Sequence, residues 1–302
     1  MAKIIDGKMM AEDILETVRR DVGAFRTRCG IAPTLAVILV GDDPASHVYV
    51  SRKLKASKRV GIGSIERRLP SETTQDALLA EIDALNIDPT VHGILVQLPL
   101  PQHIDAAVVL DRICPSKDVD GFHPVNVGRL STGTQGLIPC TPLGCLLLLE
   151  SVVQDFCGLK AVVIGKSNIV GKPVALLLLE RECTVTVTHI NTRNLPSIVS
   201  TADIVIVAAG SPGLVRGGWV KPGAIVIDIG INKIVDKDGR SIIVGDAVTS
   251  ELDHAAAVTP VPGGVGPMTI ACLLSNTVRA ANMMTAGCSP DVQGTISASR
   301  VA

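Results

Sequence analysis

Aromatic side chains are nearly absent from this 302-residue chain: Phe25, Phe122, Phe156, Tyr49 and Trp219 are its only five rings. Stacking platforms for single-stranded nucleic acid need several exposed aromatics, so that class of function is excluded. An excess of charge of either sign is missing as well. Twenty-eight basic and 29 acidic residues leave a formal net charge of −1, which provides no electrostatic footprint for a polyanion or an anionic membrane. Long hydrophobic runs are also lacking. Glu150 closes Leu143 to Leu149 and Glu180 closes Val174 to Leu179, far short of the roughly 18 residues a membrane-spanning helix needs. Met1 to Lys8 contains Asp6 and no apolar h-region, so no secretory signal is expected. The eight cysteines form no C-x-x-C and no zinc-like Cys/His spacing. They predict reduced, mostly buried thiols in a cytoplasmic protein, with no metal site.

What is present is aliphatic: 47% of residues are apolar and only 19% charged, enough to bury a large core divided between two domains. With so few rings, none of the five is expected to be routine core filler. Ile14, Leu15, Val18, Val22 and Phe25 follow helical spacing over Ala11 to Arg28, and Gly30 with Pro33 stops that helix. Thr34 to Val40 reads as a buried strand, Ala45 to Val60 as a helix, Ile62 to Leu69 as a strand, Thr74 to Leu85 as a helix and Gly93 to Gln97 as a strand. Such alternation is the signature of parallel βαβ units. Between Cys114 and Pro142 the texture turns to Pro, Gly, Ser, Thr and Asp without periodicity, predicting a long functional loop.

Alternation resumes in the second half. Strands are predicted at Ala161 to Ile164, Val185 to Thr188, Ile204 to Ala208 and Ala224 to Ile229. All are short and aliphatic, as expected where helices cover both faces of a parallel sheet. Helices are predicted at Pro142 to Val153, Gly171 to Arg181 and Leu195 to Ser200. Asp238-Gly239 marks a hairpin turn, and a final helix runs from Pro267 to Met284. The expected organisation is a two-domain α/β fold with a parallel sheet in each half, followed by a mobile tail over residues 287–302.

Two local patterns carry chemistry. Gly165-Lys166-Ser167-Asn168-Ile169-Val170-Gly171-Lys172-Pro173 lies at a strand-to-helix turn, where a helix N-terminus and close backbone approach suit a pyrophosphate; its plainer reading is an ordinary Gly-rich turn. It is not a Walker A loop, because five residues separate its glycines and Pro173 stands where a Ser or Thr is needed. At the next strand end, His189-Ile190-Asn191-Thr192-Arg193 contains no acid; with Lys166 and Arg193 nearby, this favours NADP over NAD. Tyr49 and Lys53 share one face of a helix. The same Y-x-x-x-K serves short-chain dehydrogenases, but there it follows the nucleotide loop, whereas here it precedes Gly165 by more than a hundred residues. Gln97 sits at a strand end that faces a cleft, and Asp120 in an irregular loop. Each also has a plainer reading, Gln97 as a partner for loop backbone and Asp120 as a turn residue before Gly121.

Taken in order, Tyr49-Val50-x-x-Lys53, Gln97-Leu98-Pro99-Leu100-Pro101, Lys117-Asp118-Val119-Asp120-Gly121, Gly165-x-Ser167 with Val170-Gly171-x-Pro173, and Thr259-Pro260-Val261-Pro262-Gly263-Gly264-Val265-Gly266-Pro267-Met268-Thr269 resemble the methylenetetrahydrofolate dehydrogenase/cyclohydrolase family from about residue 3 to residue 284. The resemblance implies oxidation of 5,10-methylenetetrahydrofolate with NADP and hydrolysis of the methenyl product to 10-formyltetrahydrofolate, in a homodimer. It implies that residues 1–141 form an N-terminal catalytic domain completed by the helix 267–284, that residues 142–266 form a Rossmann-like dinucleotide-binding domain, and that the active-site cleft lies between them. It implies Tyr49 stacking on the folate, Asp120 accepting from the pterin, Lys53 as general acid/base held by Gln97, and Leu98, Pro262, Gly263 and Gly264 along the substrate. Gly165, Lys166, Ser167 and Ile231 would line the cofactor, with Ile190 at its adenosine edge. Two departures stand out: Lys166 replaces the usual Arg, and Ile190 a polar or basic residue. Lysine lacks the guanidinium fork, which weakens recognition of a 2′-phosphate. A single-activity enzyme of the same fold, or a non-catalytic dinucleotide sensor, would share much of this pattern.

Overall fold

The computed structural model describes residues 1–235 and 239–285. After a short strand β1 (Lys3–Ile4), the first half runs α1 (Gly7–Cys29), β2 (Thr34–Val40), α2 (Pro44–Val60), β3 (Gly63–Leu69), α3 (Gln75–Ile87), β4 (Gly93–Val96) and α4 (Ala106–Arg112). Polar caps begin these helices. Asp6 accepts hydrogen bonds from the Lys8 and Met9 amides, Asp43 from Ser46 and Thr74 from Ala77, satisfying N–H groups that have no partner inside the helix. Gly30 and Gly61 end α1 and α2 in the left-handed conformation. The three strands form a parallel sheet in the order β3-β2-β4. Its central strand β2 is aliphatic on both faces and almost wholly buried.

After α5 (Pro124–Ser131) and α6 (Cys140–Glu150) come β5 (Lys160–Ile164), α7 (Gly171–Leu179), β6 (Thr184–Thr188), α8 (Leu195–Val199), β7 (Ile204–Val207), β8 (Ile225–Asp228), β9 (Asn232–Val235), β10 (Ser241–Val244), β11 (Ala257–Val258) and α9 (Val265–Thr285). The second sheet is parallel throughout, in the order β1-β11-β8-β7-β5-β6. The chain leaves β5 for β6 on one side and then crosses to β7 on the other, so the strand order reverses at the end of β5. In open α/β sheets, that reversal opens the crevice that binds ligands. β9 and β10 pair as an antiparallel hairpin; Asp238 in its predicted turn, like the tail 287–302, lies outside the described residues.

Four features differ from the sequence reading. Lys3–Ile4, numbered with the first domain, hydrogen-bonds to Ala257–Val258 in the second sheet; two residues carry no periodicity that could announce a strand. The segment Cys114 to Pro142, read as loop, contains α5, whose eight residues include Pro124 and Gly128 and whose amide cap is a histidine ring, with Val125 N donating to His123 Nδ1 at 3.0 Å. α4 likewise has only seven residues. β6 is an edge strand with its Thr/Val alternation largely exposed, Val187 at 42%, and so is not covered on both faces.

The two halves share one core. α9 packs against α1 and α6, and a continuous cluster runs from Leu35 and Val37 through Leu148, Met268 and Leu274 to Val163 and Ile206. α6 is apolar on nearly every side because it is covered on nearly every side. Rings contribute more here than their scarcity suggests. Phe25 is fully buried and Phe156 nearly so. Phe25 meets the His92 ring edge-on at 5.6 Å while the Arg28 guanidinium lies 5.5 Å from its centroid. His92 Nδ1 in turn accepts from the Thr34 amide at 3.1 Å, so Phe25 joins α1 to the start of β2. Phe25→Ala is expected to lower unfolding free energy by about 3–5 kcal/mol, measured by denaturant titration; a loss below ~1 kcal/mol would show that the ring is not a structural anchor.

Candidate active site

Helix α2 aims one face at the gap between the sheets. Ser46, Val50, Lys53, Ser57 and Val60 are its buried positions, spaced as a helix of 3.6 residues per turn requires. Lys53 is only 7% exposed, yet its Nζ does not lack a partner: it donates to Gln97 Oε1 at 3.0 Å. Gln97 stands just past the end of β4, fixed by its own amide on Ile38 O at 2.8 Å and by Nε2 donating to Leu98 O at 2.6 Å. It therefore does both things the sequence left open, anchoring loop backbone and holding the lysine. Tyr49 lies one turn before Lys53, and burial pushes its phenol above the ordinary range.

These side chains open into a cleft of about 340 Å³ between the two sheets, lined by Tyr49, Lys53, Gln97, Leu98 and Ile231 among others. Sequence reading did not single out four further lining residues: Ser46, Thr141, Val170 and Thr269. Ser46 Oγ donates to Asp43 Oδ2 at 2.8 Å, and the Thr141 and Thr269 hydroxyls meet at 3.0 Å where α6 and α9 face each other. Val170 and Thr269 belonged to motifs already quoted; Thr141 carried no signal, since only the packing of α6 on α9 brings it in.

Asp120 stands behind Lys53. Burial raises its carboxyl above the usual range, while the nearby Lys53 charge and a Cys140 thiol hydrogen bond oppose that shift. Its loop is built by neighbouring residues. Lys117 Nζ donates to Leu85 O and Asp88 O at the end of α3, at 3.0 and 2.7 Å. The buried Asp118 carboxylate accepts from the amides of Gly121, Phe122 and His123 and from Asn126 Nδ2. Asn276 on α9 donates to Val119 O at 2.9 Å and Ile138 O at 2.8 Å.

A second group gathers at the end of β5. Gly165 has φ +122°, and a Cβ there would lie 2.1 Å from Ala208 O; one on Gly171 would lie 2.0 Å from Gly165 O. The turn is thus as tight as backbone permits. Ser167 Oγ accepts from the Val170 and Gly171 amides, and Lys166 is exposed beside it. Among the described residues no acid pairs with Lys166 or Arg193. Ile190, after β6, is 99% exposed. Pro262, Gly263 and Gly264 lead into α9, whose Val265 and Gly266 line the cleft. Gly264 is small for an internal reason: a Cβ there would meet Pro260 O and the Thr259 side chain, each at 2.7 Å, and its carbonyl in turn leaves no room for a Cβ on Gly7, which would approach it to 1.9 Å. Gly263 is at φ +112°, and the nearest atom to a Cβ there would be Cε of the flexible Lys8 side chain, at 3.2 Å.

Residues 5–120 match the tetrahydrofolate dehydrogenase/cyclohydrolase catalytic domain, and residues 139–285 match the NAD(P)-binding domain of the same proteins. The chain belongs to the tetrahydrofolate dehydrogenase/cyclohydrolase family. It is 69% identical over 281 residues to bifunctional protein FolD 1 of Rhizorhabdus wittichii, covering 93% of this chain and 95% of that protein. Its fold is similar to that of the bifunctional FolD enzyme of Campylobacter jejuni, with TM-score 0.90 and 49% identity over 94% of this chain and 99% of the other. The Trypanosoma brucei enzyme, solved with NADP and an inhibitor, gives TM-score 0.89 at 40% identity over 93% and 98% of the two chains. In family terms, the Lys53 cleft lies against the catalytic domain and the Gly165 turn within the NAD(P)-binding domain.

Asp118 offers a check on how the loop is held. Removing its carboxylate strands the Phe122 and His123 amides and one N–H of Asn126, while the Gly121 amide keeps Asp118 O at 3.1 Å; each buried donor left unpaired costs about 1–3 kcal/mol. Asp118→Ala is therefore expected to destabilise the protein by at least ~3 kcal/mol, measured as a lowered denaturation midpoint, with turnover falling as Asp120 loses its support.

Proposed function

We propose that this protein oxidises 5,10-methylenetetrahydrofolate to 5,10-methenyltetrahydrofolate with NADP and hydrolyses the methenyl compound to 10-formyltetrahydrofolate. The observation that carries the reading is the buried Lys53 ammonium, held by Gln97 at 3.0 Å on the wall of a cleft that both domains line. The two activities of the family need one folate site with a proton-transferring group and an adjoining dinucleotide site. Residues 1–141 with the helix 267–284 supply the first, and residues 142–266 the second.

Tyr49, flat and amphipathic at the cleft edge, stacks on the folate ring system. Asp120 accepts paired N–H bonds from the pterin edge and so fixes which face is presented. Once hydride has left the methylene carbon, Lys53 as neutral amine removes a proton from the water that adds to the methenyl carbon. It then returns that proton to N5 as the N5–carbon bond breaks, while the hydroxyl of the adduct releases its remaining proton to solvent and becomes the carbonyl of the formyl group left on N10. Gln97 keeps Nζ in place through both transfers. The tight Gly165 turn, with Lys166, Ser167, Ile190 and Ile231, fits an extended dinucleotide at the sheet's reversal point. NADP, when bound there, supplies the hydride acceptor. The unpaired Lys166 and Arg193, with no acid from His189 to Arg193, support NADP over NAD, while Lys166 in place of Arg and the uncharged Ile190 make that preference shallower.

A homodimer in the cytoplasm completes the proposal. The seven described cysteines are all free thiols, and among the described residues no helix is long and apolar enough to cross a membrane. Val187 on the β6 edge and Val235, Ile242 and Ile243 on the hairpin expose apolar surface that a second copy can cover.

The decisive measurement supplies methylenetetrahydrofolate with NADP or NAD and follows formation and loss of the methenyl compound. Reduced nicotinamide is expected with NADP in preference to NAD; none with either cofactor overturns the dehydrogenase, and tight cofactor binding without turnover identifies a sensor. Lys53→Met is expected to slow methenyl hydrolysis by roughly 10²–10⁴-fold, and unimpaired hydrolysis removes Lys53 from its role. Tyr49→Ser should raise KM for folate while leaving the denaturation midpoint unchanged.

A further inference from the structure

Two buried carboxylates tie together the strand ends on the side of the cleft formed by Ile229 and Ile231. Asp228 closes β8 at 2% exposure and Asp246, after β10, is fully buried. Asp228 Oδ1 accepts from the amides of Gly230 at 2.9 Å and Asp246 at 3.0 Å, and its Oδ2 from Ala247 at 2.8 Å. Asp246 reaches further. Its Oδ2 accepts from Ala209 N and Gly210 N, both at 2.7 Å, and its Oδ1 accepts from Asn232 Nδ2 at 2.7 Å. The packing leaves no slack, because a Cβ on Gly245 would lie 1.9 Å from Asp228 Oδ2 and one on Gly230 would lie 2.4 Å from Asp246 Oδ1.

Both segments held by Asp246 shape the dinucleotide side. Ala209 and Gly210 continue from Ala208, whose carbonyl abuts the Gly165 turn. Asn232 follows Ile231, which lines the cleft together with Ile229. None of these contacts involves α2, β4 or the Asp120 loop. We propose that Asp246 is a positioning residue for the hydride-transfer half of the reaction alone: it sets the turn beside Gly165 and the wall at Ile231, and takes no part in hydrolysis. This rests on placing the dinucleotide at that sheet edge.

The hydrogen-bond polarity gives the test. In Asp246→Asn one acceptor becomes an NH₂ group, and in either orientation a donor faces a donor: the Ala209 and Gly210 amides, or the Asn232 amide. Adding Asn232→Asp restores the pairing between the two residues, with residue 246 now donating to residue 232, and gives up only the longer 3.4 Å bond from residue 232 to Val244 O. Asp246→Asn is expected to lower kcat/KM for NADP by about tenfold or more and to weaken NADPH binding in a fluorescence titration. Hydrolysis of supplied methenyltetrahydrofolate should stay within about twofold of the unaltered protein, and the double variant should regain most of the lost NADP turnover. If Asp246→Asn does not fold, Asn232→Ala, which removes the donor to Oδ1 together with a longer 3.4 Å bond to Val244 O, should weaken NADPH binding with hydrolysis intact. Parallel loss of both activities, unchanged NADPH affinity, or a folded double variant without recovery each overturns the proposal. An unaltered protein that binds NADPH but never reduces NADP overturns the functional reading instead, and the titration still reads Asp246.

Discussion

The arrangement depends on helix α9. Its residues pack on α1 and α6 together, so the last helix of the chain is shared by the core beneath the three-stranded sheet and the core beneath the six-stranded one. The cleft is the space left where these two bodies diverge above that shared packing. A helix buried along most of its length cannot shift without opening voids in close-packed aliphatic side chains, and the separation of Lys53 from the Gly165 turn is therefore set by packing. Asn276 extends this control to the site itself, since its two hydrogen bonds to Val119 O and Ile138 O fasten the Asp120 loop to the same helix.

An aliphatic core with few rings offers bulk but little direction, because methyl and methylene contacts are non-directional. Direction comes from a small set of buried polar groups, each of them satisfied. Lys117 ends α3, Asp118 folds the loop that carries Asp120, Asp228 and Asp246 gather strand ends, and Gln97 holds Lys53. Such networks are costly when partly paired and specific when complete. Here they coincide with the places where loops must be shaped, one set for each half of the cleft.

Much of this was legible in the linear chain. The strand Thr34–Val40 is found where its unbroken β-branched and aliphatic run placed it, and the helices ended by Gly30 and Gly61 stop at those glycines. Tyr49, Lys53, Gln97 and Leu98 do meet in one cleft, with Ile231 across from them. What escaped was short or shared. β1 and α5 are too brief to show periodicity, and His123 caps α5 with a ring nitrogen that no capping pattern anticipates. Phe25 is buried as its helical spacing with Leu15, Val18 and Val22 indicates; the rarity of rings in the composition says nothing about whether a particular ring faces solvent or core.

Taken alone, the sequence determined the alternation of elements, the two-sheet α/β class, the family and the residue types available for proton transfer and dinucleotide binding, because these follow from local periodicity and from contiguous motifs. Only the tertiary structure decided that Thr141 meets Thr269, that Gly7 must lack a side chain to lie against the Gly264 carbonyl, and that Asp118, Asn276 and Asp246 hold the loops around the cleft. Those roles belong to pairs far apart in the chain. Hydrogen bonds and close approaches of that kind have no local signature, since they exist only once the packing of α9 has brought their partners together.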